Sequence, residues 1–174
     1  MKSIKKIGLF LIAGLLSLDL MAQTNNDIVD VAAGSADHTT LVAAVKAADL
    51  VATLKSKGPF TVFAPTNAAF EKLPDGTVTG LLKPESKAAL TGILTYHVVP
   101  GILDAKTVLS AIKSGNGKAV VTTVAGGKLT ASIEQGKVIL TDEKGGKATV
   151  TTADLKASNG IIHVIDAVLL PEAK

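Results

Sequence analysis

The sequence predicts a single α+β domain, in which helices from the first half pack against antiparallel strands from the second. Helical spacing of apolar residues prevails from residue 27 to about 115. From 118 to 170, short runs rich in Val, Ile and Thr alternate with glycine-containing turns. Helices that precede a block of hairpins are typical of α+β domains rather than of alternating βαβ units.

The first 22 residues predict a cleaved signal peptide. Three lysines among the first six residues precede an apolar run over residues 7–18, and a small residue, Ala22, follows it. A permanent membrane helix needs about 20 apolar residues, so this run is short for one. We expect export to the periplasm or beyond, a short polar leader at 23–26 and a domain at 27–171. The alternative is a retained N-terminal anchor.

Composition limits the partners that the chain can have. All 18 basic residues are lysine, and the sequence has no cysteine, which excludes disulfides and thiolate metal ligands. Loss of three lysines and Asp19 with the signal peptide leaves 15 lysines and 14 acidic residues, a net charge of +1. Nucleic-acid-binding proteins carry a much stronger basic surface, so we expect no nucleic acid partner and no membrane span after cleavage.

The first half of the domain predicts helices around two short strands. Leu41, Val45 and Ala48 share a helical face, and Asp37 is placed to cap that helix. The apolar run 59–64 predicts a strand, and residues 66–73 predict one or two helical turns.

A longer helix and a second strand follow. Pro84 suits the first turn of a helix whose apolar face carries Leu90, Leu94 and His97. The dipeptide Val98-Val99 predicts a short strand. Asp104 is placed to cap the next helix, which extends to residue 112.

The second half predicts antiparallel hairpins. Runs KAVVTTV, KLTASI, KVILTD and KATVTT begin at residues 118, 128, 137 and 147, and turns such as Gln135-Gly136 separate them. The final segment, 160–170, is apolar on both strand parities. It therefore predicts a central strand that is buried on both faces.

Three segments together resemble the signatures of fasciclin I domains. Residues 58–70, GPFTVFAPTNAAF, are similar to the first signature box of that family, and residues 159–171, NGIIHVIDAVLLP, are similar to the second. Between them, Tyr96-His97 followed by VVPG resembles the central tyrosine–histidine motif. The resemblance covers residues 27–171 and is closest to the single-domain secreted bacterial type. It implies a β-wedge of antiparallel strands with helices packed around it, and a role in adhesion or matrix binding.

The residues of the two boxes are expected to be structural. Pro65 should end the first strand because it cannot donate to a ladder, and Thr66 or Asn67 should cap the turn that follows. The box residues with this expectation are Phe60, Phe63, Pro65, Thr66, Asn67, Phe70, Asn159, Gly160, His163 and Asp166.

The sequence gives no support to catalysis or to a metal or other cofactor. The histidines, His38, His97 and His163, form no HxH or HExxH pattern, and no GxSxG elbow is present. His163 and Asp166 have opposite strand parity, so they should not pair directly. We therefore expect a protein that is not an enzyme.

Two functions remain open from the sequence. The first is an exported adhesion module that binds a macromolecule of a cell surface or extracellular matrix. The alternative is a carrier or sensor of a small apolar molecule in an internal pocket, with Tyr96 and His97 as candidate binding residues. An enclosed pocket favours the carrier, and an exposed apolar patch favours adhesion.

Overall fold

Seven strands form one continuous sheet in the computed structural model, which describes residues 25–172. The expected signal peptide and the first half of the leader lie outside this range. The order across the sheet is β2-β1-β7-β6-β5-β4-β3. The strands are β1 (Phe60–Pro65), β2 (Val98–Pro100), β3 (Lys118–Thr122), β4 (Lys128–Glu134), β5 (Lys137–Thr141), β6 (Lys147–Ala157) and β7 (Gly160–Ile165).

Helices dominate the described chain before β3, as the α+β prediction requires. Short 3-10 turns at Ala36–His38 and Pro84–Ser86 lead into two of them. The α-helices are α1 (Ile28–Ala33), α2 (Thr39–Ala47), α3 (Val51–Leu54), α4 (Asn67–Glu71), α5 (Thr77–Leu81), α6 (Lys87–Tyr96) and α7 (Ala105–Ser114).

The structure has the predicted wedge of antiparallel strands with one addition, a parallel pair formed by the first and last strands, β1 and β7. Phe60 lies opposite Gly160, and Pro65 lies opposite Ile165. The other strand pairs of the described sheet are antiparallel. Parallel neighbours need a crossover connection, and the whole chain from α4 to β6 serves as that crossover. The hairpin pattern predicted the antiparallel pairs but contained no signal for this long-range one.

Alternate side chains of β1 enter two different apolar cores. Val62 and Ala64 belong to a helical core, formed mainly with α1, α2 and α6. Phe63 points the other way, into a wedge core formed with α7 and the inner faces of β3 to β6. Every residue of β7 is buried, with Ile162 in the helical core and Ile165 in the wedge core. The prediction of a central strand buried on both faces is confirmed for 160–165.

The two ends of the sheet meet, so the sheet curls into a nearly closed wedge. The amide of Val124, just after β3, donates to the carbonyl of Val98 in β2 at 2.8 Å. The amide of Ala125 donates to the carbonyl of Thr95 at 3.3 Å. These bonds cover part of the edges that an open sheet would leave unpaired.

Local capping was predicted correctly at two helices and wrongly at one. Thr66 caps α4 and Asp104 caps α7, each by accepting a backbone amide hydrogen bond. Asp37 does not cap α2. Instead, the Ser35 hydroxyl accepts from the Asp37 amide and caps a 3-10 turn that runs into the helix.

The strand predicted for 160–170 ends at Ile165. The Asp166 carboxylate accepts from the Thr149 amide at 2.7 Å, and the residues after it bind side chains rather than a neighbouring strand. The apolar character of this segment therefore reflects burial of the C-terminal tail, not continuation of the sheet.

Gly160 should tolerate no side chain, because β1 and α1 approach it closely. A Cβ there would overlap the Phe60 carbonyl oxygen and lie 2.8 Å from Cδ1 of Ile28. We expect Gly160→Ala to lower the free energy of unfolding by about 3 kcal/mol, measured by urea denaturation. Gly92→Ala, in open space on α6, is the matched control and should raise it by about 0.5–1 kcal/mol. Equal effects of the two substitutions would contradict this account.

Candidate functional site

Tyr96 lies at the end of α6, wholly buried beneath two hairpin turns. Its hydroxyl donates to the Lys128 carbonyl at 2.7 Å and accepts from the Glu143 amide at 3.2 Å. A Cβ on Gly127 would come within 2.5 Å of the ring, so the β3–β4 turn needs glycine at this point. Burial raises the pKa of Tyr96 to about 12, which keeps the phenol neutral. The hydroxyl thus holds the β3–β4 and β5–β6 turns together.

His97 is buried next to Tyr96 and joins α6 to the C-terminal tail. Its Nδ1 donates to the Ile93 carbonyl at 2.8 Å, and its Nε2 accepts from the Leu169 amide at 3.0 Å. A neutral imidazole with the proton on Nδ1 satisfies both bonds. Burial lowers the pKa of His97 to about 4. Both ring nitrogens are occupied by backbone groups.

Asp142 is a second side chain that binds the C-terminal tail, and the sequence did not predict this contact. One carboxylate oxygen accepts from the amides of Lys144 and Gly146, at 3.0 and 2.6 Å. The other accepts from the Leu170 amide at 3.0 Å. An aspartate at the start of a Gly-Gly turn is a recognised turn signal, but the contact with the tail is visible only in three dimensions.

His163 lies in β7 and joins the loop before α7 to strand β6. Nε2 donates to the Leu103 carbonyl at 2.6 Å, and Nδ1 accepts from the Asp154 amide at 3.3 Å. The ring stacks on Phe63, with 5.6 Å between centroids. Asp166 does not contact it. That side chain is 41% exposed beyond the strand and lies 3.9 Å from the Lys72 ammonium.

The asparagines of the two boxes clamp the backbone around them. Asn159 donates to the carbonyls of Leu54 and Ser56 and accepts from the Ile28 amide. Asn67 donates to the Ala36 carbonyl and accepts from Thr40. Of the other box residues, Phe63, Pro65 and Phe70 are buried, and Phe60 is partly buried. The box residues therefore lie at several places between the core and the surface rather than together in one site.

The cavities beside the candidate histidines are small. An apolar cavity of about 30 Å³ touches His97, and one of about 20 Å³ touches His163. A single water occupies about 30 Å³ of the liquid, whereas small-molecule sites usually exceed about 300 Å³. Tyr96 lines neither of these cavities.

An open cleft of about 680 Å³ lies where β1 and β7 begin. Lys57 and Lys156 line it, as does Ile102, which is 45% exposed. Lys55, also in the lining, forms ion pairs of 2.8 and 2.7 Å with Asp27 and Asp30. No carboxylate of residues 25–172 lies within ion-pair distance of Lys57 or Lys156. Their positive charges are therefore available to a ligand in the cleft.

Within residues 25–172, no three His, Asp or Glu residues lie close enough together to hold a metal ion. None of the helices in that range has the length and apolar character needed to cross a membrane.

Comparisons with known proteins agree with the fold and the motifs. The fasciclin domain model matches residues 36–171. Protein sll1483 of Synechocystis is 56% identical over 83% of this chain and 73% of its own length. The immunogenic protein MPB70 of Mycobacterium bovis is 34% identical over 88% of this chain and 74% of its length. The FAS1 domain pair of the insect cell adhesion molecule fasciclin I superposes with a TM-score of 0.74 at 19% identity, covering 84% of this chain and 51% of that one.

The buried His97 should make stability depend on pH. In the folded protein the pKa of His97 is about 4, whereas in the unfolded chain it returns to about 6.5. Between these two pH values the unfolded state carries a proton on His97 that the folded state does not carry. Protonation of His97 should therefore leave the free energy of unfolding unchanged above about pH 6.5. As the pH falls from 6.5 towards 4, it should lower the free energy of unfolding by about 1.4 kcal/mol per pH unit. His97→Gln should be less stable but lack this share of the slope in urea titrations. A His97 ring that titrates near pH 6.5 by NMR in the folded protein would contradict the prediction.

His163 and Asp166 should differ in their contributions to stability. His163→Ala removes a buried ring that stacks on Phe63 and leaves the Leu103 carbonyl and the Asp154 amide without this partner, at a cost of about 1–3 kcal/mol. Asp166→Ala removes a 41% exposed carboxylate and leaves the half-buried Thr149 amide without its side-chain acceptor, so it should cost less, about 0.5–1.5 kcal/mol. Thermal denaturation of both variants compares the two costs. Equal melting temperatures for His163→Ala and the parent protein would argue against the bridging role.

Proposed function

The chain belongs to the fasciclin domain family, and we propose that it is an exported, non-catalytic module that binds a macromolecule of a cell surface or extracellular matrix. Export is inferred from the lysine-rich start and short apolar run of residues 1–22. An adhesive role is supported by the likeness of the fold to that of an insect cell adhesion molecule.

The absence of catalysis is inferred from how the polar side chains are used. Tyr96, His97 and His163 direct their polar atoms to backbone groups of the protein itself. A general base or nucleophile must instead present a polar atom to a substrate. We therefore assign a structural role to Tyr96, His97 and His163, and we assign binding to the surface of the domain.

The open cleft with Lys57 and Lys156 is the observation that carries the proposal. It combines two ammonium groups that have no acidic partner in the described chain with the exposed apolar side chain of Ile102. Such a surface complements a partner that carries negative charges on an extended, partly apolar chain. We therefore assign an acidic polymer, such as a carboxylated polysaccharide, as the partner class.

A carrier function at Tyr96 and His97 has less support. The cavity of about 30 Å³ beside His97 has room for roughly one water, and the hydrogen-bonding atoms of both residues are occupied. Binding of a small molecule there would require these bonds to break.

Reversing the two cleft charges should weaken binding. We expect the double variant Lys57→Glu/Lys156→Glu to bind immobilised polyuronate about tenfold or more weakly than the parent protein, because two attractive contacts become repulsive. Binding of the parent protein should decline with rising salt and be absent on neutral dextran. Surface plasmon resonance measures the affinity of the double variant, the salt dependence of binding by the parent protein and its binding to dextran.

The matched control is Lys83→Glu/Lys144→Glu, which changes the net charge equally at exposed positions outside the cleft. It should retain most of the affinity. Equal losses in the two double variants would mean that net charge, not the cleft, governs binding. Parent protein that binds dextran and polyuronate alike would overturn the choice of an acidic partner.

A further inference from the structure

Asparagine followed by glycine occurs twice in the sequence, at Asn116-Gly117 and at Asn159-Gly160. This dipeptide deamidates readily, because glycine has no side chain to shield its backbone nitrogen from the asparagine side chain. The structure places the two dipeptides in opposite settings. Asn116-Gly117 lies in the exposed turn between α7 and β3, whereas Asn159 is half-buried and Gly160 begins the buried strand β7.

One backbone hydrogen bond holds the nitrogen that would react next to Asn116. The Gly117 amide donates to the Ile112 carbonyl at 2.9 Å, at the end of α7. Both residues of the dipeptide have positive φ, 53° for Asn116 and 90° for Gly117, as is common in exposed turns. Hydrogen bonds at helix ends open readily, so a local opening that leaves both cores intact frees this nitrogen.

Three hydrogen bonds hold the side chain of Asn159 in place. Its amide nitrogen donates to the carbonyls of Leu54 and Ser56, at 2.6 and 3.0 Å. Its oxygen accepts from the Ile28 amide at 3.0 Å. Gly160 is buried in the parallel pair with β1. The Asn159 side chain therefore reaches the Gly160 nitrogen only if these three bonds break and the start of β7 comes away from α1.

We propose that Asn116 deamidates spontaneously in the folded protein, whereas the fold protects Asn159. The Gly117 backbone nitrogen attacks Cγ of Asn116, and the new C–N bond closes a succinimide ring. The side-chain nitrogen takes up the proton that the Gly117 nitrogen loses and leaves as ammonia. Water then opens the ring at either carbonyl carbon. One product is aspartate, and the other is isoaspartate, in which the main chain runs through Cγ and gains one carbon.

The additional carbon of isoaspartate should disturb the turn between α7 and β3. The turn is tightly closed: the Lys118 amide donates to the Gly115 carbonyl at 3.2 Å, and a Cβ on Gly115 would overlap the Lys118 carbonyl oxygen. Because α7 contributes Ile112 to the wedge core, loosening its end should lower the melting temperature. We expect the isoaspartate form to melt about 2–4 °C below the parent protein.

The test follows both dipeptides in the full-length protein during incubation in mildly alkaline buffer. Samples are digested with pepsin at acid pH, and mass spectrometry measures the fraction of each asparagine that has become an acid. Conversion at Asn116 should be at least about tenfold faster than at Asn159, because reaction at Asn159 needs a larger opening of the fold. In urea that unfolds the protein, the two rates should become similar.

Two variants separate the effects of the reaction. Asn116→Gln should stop conversion at this position, because its longer side chain closes a less favourable ring. Asn116→Asp carries the charge of the product without the additional carbon, so it should melt closer to the parent protein than the isoaspartate form does. Asn116 lies outside the lining of the open cleft, so this inference and the proposed binding of an acidic polymer can fail separately.

The parent protein alone can overturn the proposal. Equal rates at Asn116 and Asn159 in the folded protein would mean that the fold does not protect Asn159. If Asn116 reacted in urea but kept its amide in the folded protein, the bond from Gly117 to Ile112 would be sufficient protection, and Asn116 would not be a site. An isoaspartate form that melts with the parent would remove the effect on the turn.

Discussion

The parallel pairing of β1 with β7 is the contact on which the rest of the molecule depends. It joins two interior strands of the sheet, each with side chains in both the helical core and the wedge core. Gly160 permits the close approach to the Phe60 carbonyl, and Asn159 ties the start of β7 to α1 and to the end of α3. The two signature boxes are thus the two halves of one structural joint, although they lie far apart in the sequence.

A second set of polar contacts closes the opposite side of the domain. Tyr96 holds two hairpin turns, and His97 and Asp142 bind successive amides of the tail at Leu169 and Leu170. Since the buried polar groups of this set bind backbone, the loops around them are fixed in position without disulfides. The same use of their polar atoms explains why a histidine and a tyrosine in a prominent motif can serve structure rather than chemistry.

The sequence predicted those features that depend on neighbouring residues. Thr66 and Asp104 cap helices because a cap requires only the next three residues, and the burial of β7 followed from its apolar residues on both parities. The parallel partner of β7 was not predicted, since parity says which side chains share a face but not which strand lies alongside. Asp142 was missed for a similar reason, because what distinguishes it is its contact with Leu170, a residue distant in sequence. Lys57 and Lys156 look like any other solvated lysines until the cleft is seen.

The position of β7 also governs the order in which the domain can be completed. During synthesis, β1 emerges early, yet its parallel neighbour comes from residues 160–165, close to the C-terminus. Contacts between residues so distant in sequence slow folding, because a long loop must close before they form. Until then one edge of an apolar strand remains available to other chains. A ribosome that stops before residue 160 therefore releases a polypeptide that contains all seven described α-helices and strands β1 to β6 but lacks the strand that pairs β1 with β6.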